Sequence, residues 1–531
     1  MNAKKIFIYD TTLRDGAQSE GISFTVKDKI RIAQKLDELG VDFIEGGWPG
    51  SNPKDDEFFM EARKGLKLKK SRLTAFGSTR RADSRTSSDP VIKGLLKAET
   101  RYLTIFGKSW DLHVKEVFRT TLAENLKMIE ESVGYLRKKD RRVIFDAEHF
   151  FDGYKDNPGY AMETLQAAVN GGAEVLVLCD TNGGTLTSGV FEIVEEVIGK
   201  FKVPLGIHVH NDADMAVANS VAAIQAGCTH VQGTFNGYGE RCGNANLVSI
   251  LPTLKYKLGL DCLSDFEFKE LTEASRYIAE ISNVKQQDYQ PYVGKSAFAH
   301  KAGVHVNAIL KNSRTYEHIE PEKVGNKRRM LISELSGKSS IAGKAVEMGI
   351  EIEKASDSAK RILEHVQDLE KEGYQYELAE ASLALLMRRA SKTFREHFEV
   401  EDFRVIVEKR KDNSAPIISE ATVKLRVGKD RRHTVSLGDG PVHALDQAVR
   451  KSLVEFFPSL NEMHLSDFRV RVLDEKSATA AKVRVLIQSQ DKTDSWWTVG
   501  VSENIIEASW MALKDSIEYK FMKDEDRRKK K

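Results

Sequence analysis

The sequence predicts an α/β protein in three parts: a closed (β/α)8 TIM barrel, a helical linker subdomain, and a C-terminal α+β domain with an internal βββα repeat. Three observations predict this fold class. The first 280 residues alternate eight times between a short β-rich run and a helical pattern, residues 285–395 lose that alternation, and the remaining segment contains a repeat. Strands that alternate with helices imply βαβ units and a parallel sheet. We place the domain boundaries at 1–280, 281–395 and 396–531.

Eight short runs rich in β-branched and aromatic residues mark the barrel strands. They are 6–9, 43–46, 73–76, 102–106, 143–145, 175–179, 205–209 and 230–234. The clearest helix between them is 26–39, which has an apolar stripe and starts with a capping-box-like pair, Thr25 and Asp28. Eight units in about 240 residues fit a closed barrel better than an open doubly wound sheet. An open nucleotide-binding sheet would carry G-x-G-x-x-G after its first strand, where this chain has the charged run DTTLRDG.

The linker and the repeat follow the barrel. Residues 294–307 are predicted to be loop-like, and 339–348, 355–369 and 378–388 have helical spacing. In the C-terminal domain, 403–407 resembles 468–472, and 433–444 aligns with 497–508 without a gap. Two copies of a βββα unit can bury one shared core. No set of acidic, basic or metal-binding residues recurs in the two copies. The repeat is therefore a poor candidate for a second active site.

Composition narrows the class of protein. The chain has 81 basic and 79 acidic residues, so its net charge of +2 does not favour a nucleic-acid binder. The apolar stretches are far shorter than the roughly 20 residues of a membrane helix, and the start carries no apolar targeting segment. The four cysteines form no CxxC pair, which argues against a zinc ribbon or a disulfide scaffold. We therefore expect a cytoplasmic enzyme.

Charged and polar residues collect where the predicted strands end, and barrel enzymes place their chemistry there. They are Arg14, Asp15, Glu45, Asp146, Glu148, Asp180, Thr181, His208, His210, Asp212 and the loop 236–244. We interpret Glu45 and Asp146 as orienting groups.

A metal site is predicted among these residues. His208 and His210 lie two apart on a strand, so both imidazoles point to the same face. Two neutral imidazoles and a carboxylate can bind one divalent cation, and Asp15 is the carboxylate that we favour. Asn244 can add an amide oxygen. The alternative is a pair of histidines satisfied by hydrogen bonds, and the donor set leaves Zn, Mn, Co and Mg open.

Three motifs resemble those of a known family. DTTLRDGAQ at 10–18, IHVHND at 207–212 and GERCGNAN at 239–246 are similar to the signatures of the α-isopropylmalate synthase/homocitrate synthase family. The resemblance covers nearly the whole chain, since the C-terminal domain is similar to the regulatory domain of isopropylmalate synthases. It implies an acetyl-CoA-dependent Claisen enzyme on a metal-binding barrel. Segments 45–59, 75–81 and 145–154 are most similar to the branch that uses pyruvate as the acceptor.

The resemblance also implies residue roles. The implied metal ligands are Asp15, His208, His210 and Asn244; the implied catalytic residues are Arg14, Glu148, His305 and Tyr316; and the implied substrate-binding residues are Arg14 and Thr181. His305 and Tyr316 match residues that family members supply from a subdomain after the barrel, often across a dimer. Either Glu148 or His305 would take the methyl proton of acetyl-CoA. Isoleucine is the expected inhibitor at the C-terminal domain, and a homodimer is the expected assembly.

Several alternatives stay open at this point. Arg14 can be a structural ion-pair partner of Asp15, Glu148 a solvated loop carboxylate, and the C-terminal domain a purely structural dimerisation domain. We interpret Cys242 as a small packing residue rather than a nucleophile. The alternative activities are condensation with α-ketoisovalerate and an acyl-CoA lyase that cleaves a carbon–carbon bond.

Overall fold

A computed structural model describes residues 4–301, 303–331, 341, 344–345, 357–390, 394–409, 417–473 and 481–530. The chain forms two compact units: the first contains 1–298 and 318–328, and the second contains 299–317 and 329–531. Most of the predicted helix at 339–348 lies outside the described residues. Within the described residues, no helix has both the length and the apolar character needed to cross a bilayer.

The first unit is a closed barrel of eight parallel strands in sequence order, which confirms the predicted fold class. The strands are β1 (Phe7–Asp10), β2 (Phe43–Gly47), β3 (Arg72–Ser78), β4 (Tyr102–Lys108), β5 (Arg142–Glu148), β6 (Val175–Asp180), β7 (Leu205–Val209) and β8 (His230–Gly233). Strand β1 pairs with both β2 and β8, and this second pairing closes the barrel.

Helices surround the barrel and follow the strands in turn. They are α1 (Val26–Leu39), α2 (Pro53–Gly65), α3 (Pro90–Lys97), α4 (Leu122–Lys138), α5 (Phe150–Asp156), α6 (Pro158–Gly171), α7 (Thr187–Ile198), α8 (Ala216–Ala226), α9 (Leu247–Leu258), α10 (Asp265–Phe268) and α11 (Leu271–Ile281). Shorter turns are the 3-10 segments Gly16–Gln18, Phe235–Gly237 and Pro321–Val324 and the π-helical turn His113–Val117. Thr25 and Asp28 form the expected capping box at the start of α1.

The alternation of β5 shows how the strands separate core from site. Val143, Phe145 and Ala147 point outward and are fully buried against the helices. Ile144 points inward and belongs to the apolar cluster that fills the barrel interior. Since successive side chains of a strand alternate faces, Asp146 and Glu148 also point inward, nearer the carboxyl end. The same period of two therefore builds the core and delivers polar groups to the mouth.

The second unit begins with β9 (Ala299–His300), which pairs in parallel with β10 (Arg329–Met330). Helix α12 (Gly303–Lys311) lies between them, so the loop prediction for 294–307 is wrong from residue 303 onward. Val306 and Ile309 are buried one helical turn apart, and their burial stabilises a helix that starts at a glycine. Helices α13 (Asp357–Lys371) and α14 (Glu380–Arg389) agree with the helical spacing, and a 3-10 turn spans Ser313–Thr315.

The C-terminal part of this unit contains two antiparallel βββα units, as the repeat predicts. The first is β11 (Glu399–Glu408), β12 (Ile418–Val427), β13 (Asp430–Gly438) and α15 (Pro441–Leu453); the second is β14 (His464–Val472), β15 (Val483–Gln490), β16 (Ser495–Ser502) and α16 (Ile505–Lys530), with a 3-10 turn at Pro458–Glu462 before it. The Thr434 hydroxyl donates to the Ala448 carbonyl at 2.8 Å, and Thr498 repeats this contact with Ala512 at 2.7 Å. Both helices share one apolar core.

Candidate metal centre and active site

Asp15, His208 and His210 meet at the mouth of the barrel. Asp15 lies in the turn after β1, His208 lies on β7, and His210 follows that strand directly. The Nε2 atoms of His208 and His210 are 3.3 Å and 3.8 Å from the same carboxylate oxygen, Asp15 Oδ2. All three residues are buried, and one ligand atom from each lies within 4.8 Å of the others. The structure therefore brings together the three side chains that the sequence singles out as ligands.

The turn after β1 is built to present Asp15. The buried Asp10 carboxylate accepts hydrogen bonds from the backbone N–H and the hydroxyl of Thr12, both at 2.9 Å. The Thr11 carbonyl accepts the backbone N–H groups of Arg14 and Asp15 at 3.1 and 2.9 Å. Burial raises the pKa of Asp10 to about 7, because its charged form is desolvated. These contacts fix a tight turn with Arg14 and Asp15 at its tip.

Asn244 is the fourth predicted ligand, and its contacts show whether the site suits a cation. A backbone bridge joins Asn244 to His210, and Asn244 Nδ2 donates to Asp15 Oδ2 at 2.8 Å. Its Oδ1 is buried and has no hydrogen-bond partner within the part of the chain that the structure describes. The two ends of an amide are assigned by their hydrogen bonds, and a half-turn would bring Oδ1 to the side of Asp15 and His208. Two imidazole nitrogens, a carboxylate and an amide oxygen suit a divalent cation.

The electrostatics of the cluster also suit a cation. Burial opposes ionisation of Asp15, but the Arg14 guanidinium and His208 outweigh it and hold the pKa of this carboxyl well below its usual range. Burial lowers the pKa of His210 to about 4, so this imidazole is neutral at pH 7. For His208, burial lowers the pKa, but the hydrogen bond and the charge of Asp15 raise it above the usual value. The cluster thus offers an ionised carboxylate and, at His210, a neutral imidazole, which are the forms that bind a cation.

Arg14 is held in place by two carboxylates and one ring. Its Nε donates to Glu45 at 2.6 Å, its Nη1 lies 3.2 Å from Asp15 Oδ1, and its guanidinium carbon lies 3.8 Å from the centre of the Phe76 ring. The Tyr9 hydroxyl donates to the other oxygen of Glu45 at 2.7 Å. Arg14 is therefore an ion-pair partner of Asp15 and, at the same time, a fixed positive charge beside the cation donors.

Gln232 on β8 is a site residue that sequence reasoning missed. His208 Nδ1 lies 3.0 Å from Gln232 Oε1, and Gln232 Nε2 donates to Asp146 Oδ1 at 3.0 Å. Burial raises the pKa of Asp146 to about 7. A polar residue inside a predicted barrel strand was the signal that could have identified Gln232. Asp146 thus reaches His208 through Gln232, and Glu45 reaches Asp15 through Arg14, as orienting groups would.

Glu148 and Thr181 lie at neighbouring strand ends. Glu148, the last residue of β5, forms an ion pair with the Lys108 ammonium at the end of β4, so it is not an unpaired loop carboxylate. Thr181 follows β6, and its hydroxyl oxygen accepts the backbone N–H of His149 at 2.9 Å. Within the described residues, no acceptor is assigned to the hydroxyl proton of Thr181. Lys108 is a second residue that the sequence analysis missed.

The remaining predicted residues fall elsewhere. His305 and Tyr316 lie in the second unit, where their rings stack with centroids 4.1 Å apart. Cys242 is exposed, so its interpretation as a packing residue is wrong. Its two neighbours, Arg241 (φ 54°) and Gly243 (φ 90°), both lie in the left-handed region.

Comparisons with known proteins cover almost the whole chain. The profile of a family described as HMGL-like matches residues 5–278, a homocitrate synthase post-HMGL domain-like family matches 292–374, and the LeuA allosteric (dimerisation) domain matches 377–521. An (R)-citramalate synthase from Aquifex aeolicus is 55% identical, over 99% of this chain and 99% of that protein. One from Geobacter sulfurreducens is 53% identical over 98% of both. A 2-isopropylmalate synthase from Methanocaldococcus jannaschii is 30% identical, over 97% of this chain and 94% of that protein.

Proposed function

The chain belongs to the HMGL-like family and, within it, to the (R)-citramalate synthases, and from this premise we propose that acetyl-CoA and pyruvate condense at its barrel mouth. The reaction is an acyl transfer in which the acyl group becomes an alkyl group, and its product is (R)-citramalate. The observation that carries the proposal is the shared oxygen of Asp15, which lies 3.3 and 3.8 Å from two histidine nitrogens. The 2-isopropylmalate synthase relative is more distant, at 30% identity, which favours pyruvate over α-ketoisovalerate.

Asp15, His208, His210 and Asn244 are the proposed ligands of the divalent cation. When bound there, the cation supplies Lewis acidity that polarises the keto group of pyruvate. Arg14 adds a permanent positive charge beside the ligands, and we assign it the stabilisation of negative charge that develops on the keto oxygen. The two carboxylates on Arg14 raise its pKa although burial lowers it, so the charge persists at every working pH.

Thr181 is the proposed anchor of the pyruvate carboxylate. Its hydroxyl oxygen already accepts a backbone N–H, so its own proton is free to be donated to a carboxylate oxygen. A second contact from Arg14 would orient the planar keto acid with one face open to attack. Fixing the acceptor in this way supplies the entropic part of the rate enhancement.

The carbon–carbon bond forms when the methyl group of acetyl-CoA loses a proton. Glu148 and His305 are the two candidate bases for this proton. The carbanion attacks the keto carbon of pyruvate, and the electron pair of the carbonyl moves to oxygen, which then takes a proton. Water hydrolyses the thioester of citramalyl-CoA, the C–S bond breaks, and CoA leaves as the thiol. Tyr316, stacked on His305, is the proposed partner that holds this imidazole.

Thiol release from acetyl-CoA tests the proposal directly. We expect release with pyruvate, little with α-ketoisovalerate or α-ketoglutarate, and none without an acceptor or after removal of divalent cations. Preference for α-ketoisovalerate would reject the substrate assignment and leave the mechanism in place. Full turnover with no divalent cation bound would reject the role of the donor cluster.

The second unit is the proposed site of regulation. Its match to the LeuA allosteric (dimerisation) domain supports isoleucine as an inhibitor and a homodimer as the assembly. Inhibition of thiol release by isoleucine, and a molecular mass of two chains by light scattering, are the tests. We also retain the cytoplasm as the proposed location of the enzyme.

A further inference from the structure

We propose that Gln232 and Asp146 are positioning residues for His208, and that their buried chain of hydrogen bonds aims the Nε2 lone pair of this histidine at the cation. The inference rests on the proposed function of Asp15, His208 and His210 as a metal site.

The chain of contacts crosses the interior of the barrel. It runs from His208 on β7 through Gln232 on β8 to Asp146 on β5, and β5 is not a neighbour of β8 in the sheet. Each of its two hydrogen bonds is 3.0 Å long. All three residues are buried, so bulk water has little access to the chain of hydrogen bonds. Buried polar groups with few alternative partners hold one arrangement.

The chemistry of the three groups fixes the direction of the chain. Gln232 turns its NH2 group toward Asp146, whose carboxyl oxygen accepts the hydrogen bond. The carboxamide oxygen then faces His208 Nδ1, and this oxygen accepts hydrogen bonds but donates none. Neutral His208 therefore carries its proton on Nδ1, which leaves the lone pair on Nε2, 3.3 Å from Asp15 Oδ2. Without Asp146, the carboxamide could rotate and donate to Nδ1, and the proton would move to the ligand nitrogen.

His210 differs from His208 in this respect. Within the described part of the chain, its Nδ1 faces only Nη2 of Arg241, at 3.2 Å, and that arginine side chain is 44% exposed. Arg241 also donates to the Thr181 carbonyl and to Asp212. The buried chain of hydrogen bonds thus orients His208 but not His210. Metal affinity should depend on this chain.

Cobalt(II) binding to the full-length, metal-free protein at pH 8 tests the inference. Asp146→Asn keeps the shape but lets residue 146 donate, so we expect Co²⁺ affinity to fall about 10- to 100-fold, with a changed visible spectrum. In the double variant Asp146→Asn/Gln232→Glu, the carboxylate introduced at position 232 accepts from both His208 Nδ1 and the amide introduced at position 146. The negative charge has moved from residue 146 to residue 232, and an acceptor again faces His208 Nδ1. The affinity for Co²⁺ should therefore recover to within a few-fold of the wild type.

Asp89→Asn is the matched control, because Asp89 is a buried carboxylate that caps α3 and does not touch the cluster. Gln232→Met removes both hydrogen bonds and should lose Co²⁺ affinity to a similar extent. This variant replaces Asp146→Asn in the test if Asp146→Asn folds poorly. Wild-type affinity in Asp146→Asn, or a double variant no better than the single one, would overturn the inference. If His210→Ala bound Co²⁺ as well as the wild type, the proposed metal site itself would fail, which is a separate result.

Discussion

Replacing Arg14 by lysine separates its catalytic role from its structural one. The guanidinium uses Nε for Glu45 and Nη1 for Asp15, and its flat face lies on Phe76. Lysine keeps the charge but offers one nitrogen, which cannot occupy both positions and also face a developing oxyanion. Loss of one such donor typically costs 10²- to 10³-fold in kcat. Because the charge is retained, we expect the lower figure, about 10²-fold or ~2.7 kcal/mol.

Arg80→Lys is the control for this substitution. Arg80 is also buried and also pairs with two carboxylates, Glu124 and Glu131, each at 2.8 Å, but both of these lie on α4 and neither belongs to the cation cluster. The assay is thiol release at saturating cation and acetyl-CoA, with kcat and KM for pyruvate measured separately. A kcat of Arg14→Lys within about 3-fold of the wild type, well under the 10²-fold loss of an oxyanion donor, would refute the assignment. Arg14 would then be an ion-pair partner only.

Three further substitutions test other parts of the structure. His210→Ala removes a donor 3.8 Å from Asp15, so we expect loss of both bound metal, measured by elemental analysis, and turnover; retained metal would contradict the ligand assignment. Gly239→Ala places a Cβ 1.9 Å from Asn244 Oδ1 and should displace this ligand and weaken Co²⁺ binding, whereas Gly184→Ala, with open space around it, should not. Burial lowers the pKa of His397, but its contacts with Glu518 and Glu525 raise it above the usual value. This histidine therefore stabilises the second unit fully below its unfolded pKa of about 6.5, and the effect is lost as pH rises through the higher folded value. His397→Gln should remove that pH dependence of thermal unfolding, and an unchanged profile would reject the contribution.

The sequence predicts the parts of the site that follow from strand geometry. The two-residue spacing of His208 and His210 places both imidazoles on one face, and the structure confirms that they share Asp15. The same alternation places Asp146 and Glu148 inside the barrel. These predictions need only the period of a strand and the rule that barrel chemistry lies at the carboxyl ends.

Contacts between distant strands could not be predicted in this way. The pairing of Gln232 with Asp146 depends on how far two side chains reach across the closed barrel. The ion pair of Lys108 with Glu148 depends on the register of β4 and β5, which places the two residues opposite each other. The helix Gly303–Lys311 was missed because its apolar side is short and its first residue is a glycine. Tertiary packing, which local pattern does not contain, decides each of these cases.

The position of the cation donors along the chain has a consequence for folding. Asp15 follows β1, while His208, His210 and Asn244 come from β7 and the loop after β8, so the donors sit on the two sides of the seam where β1 joins β8. An ion bound by all of these donors would link the two sides of that seam. The complete site would form only after β1 has paired with β8. At a free ion concentration 100 times its Kd, binding of the ion would raise the free energy of unfolding by about 2.7 kcal/mol. Only chains with a closed barrel would therefore bind the metal at full affinity.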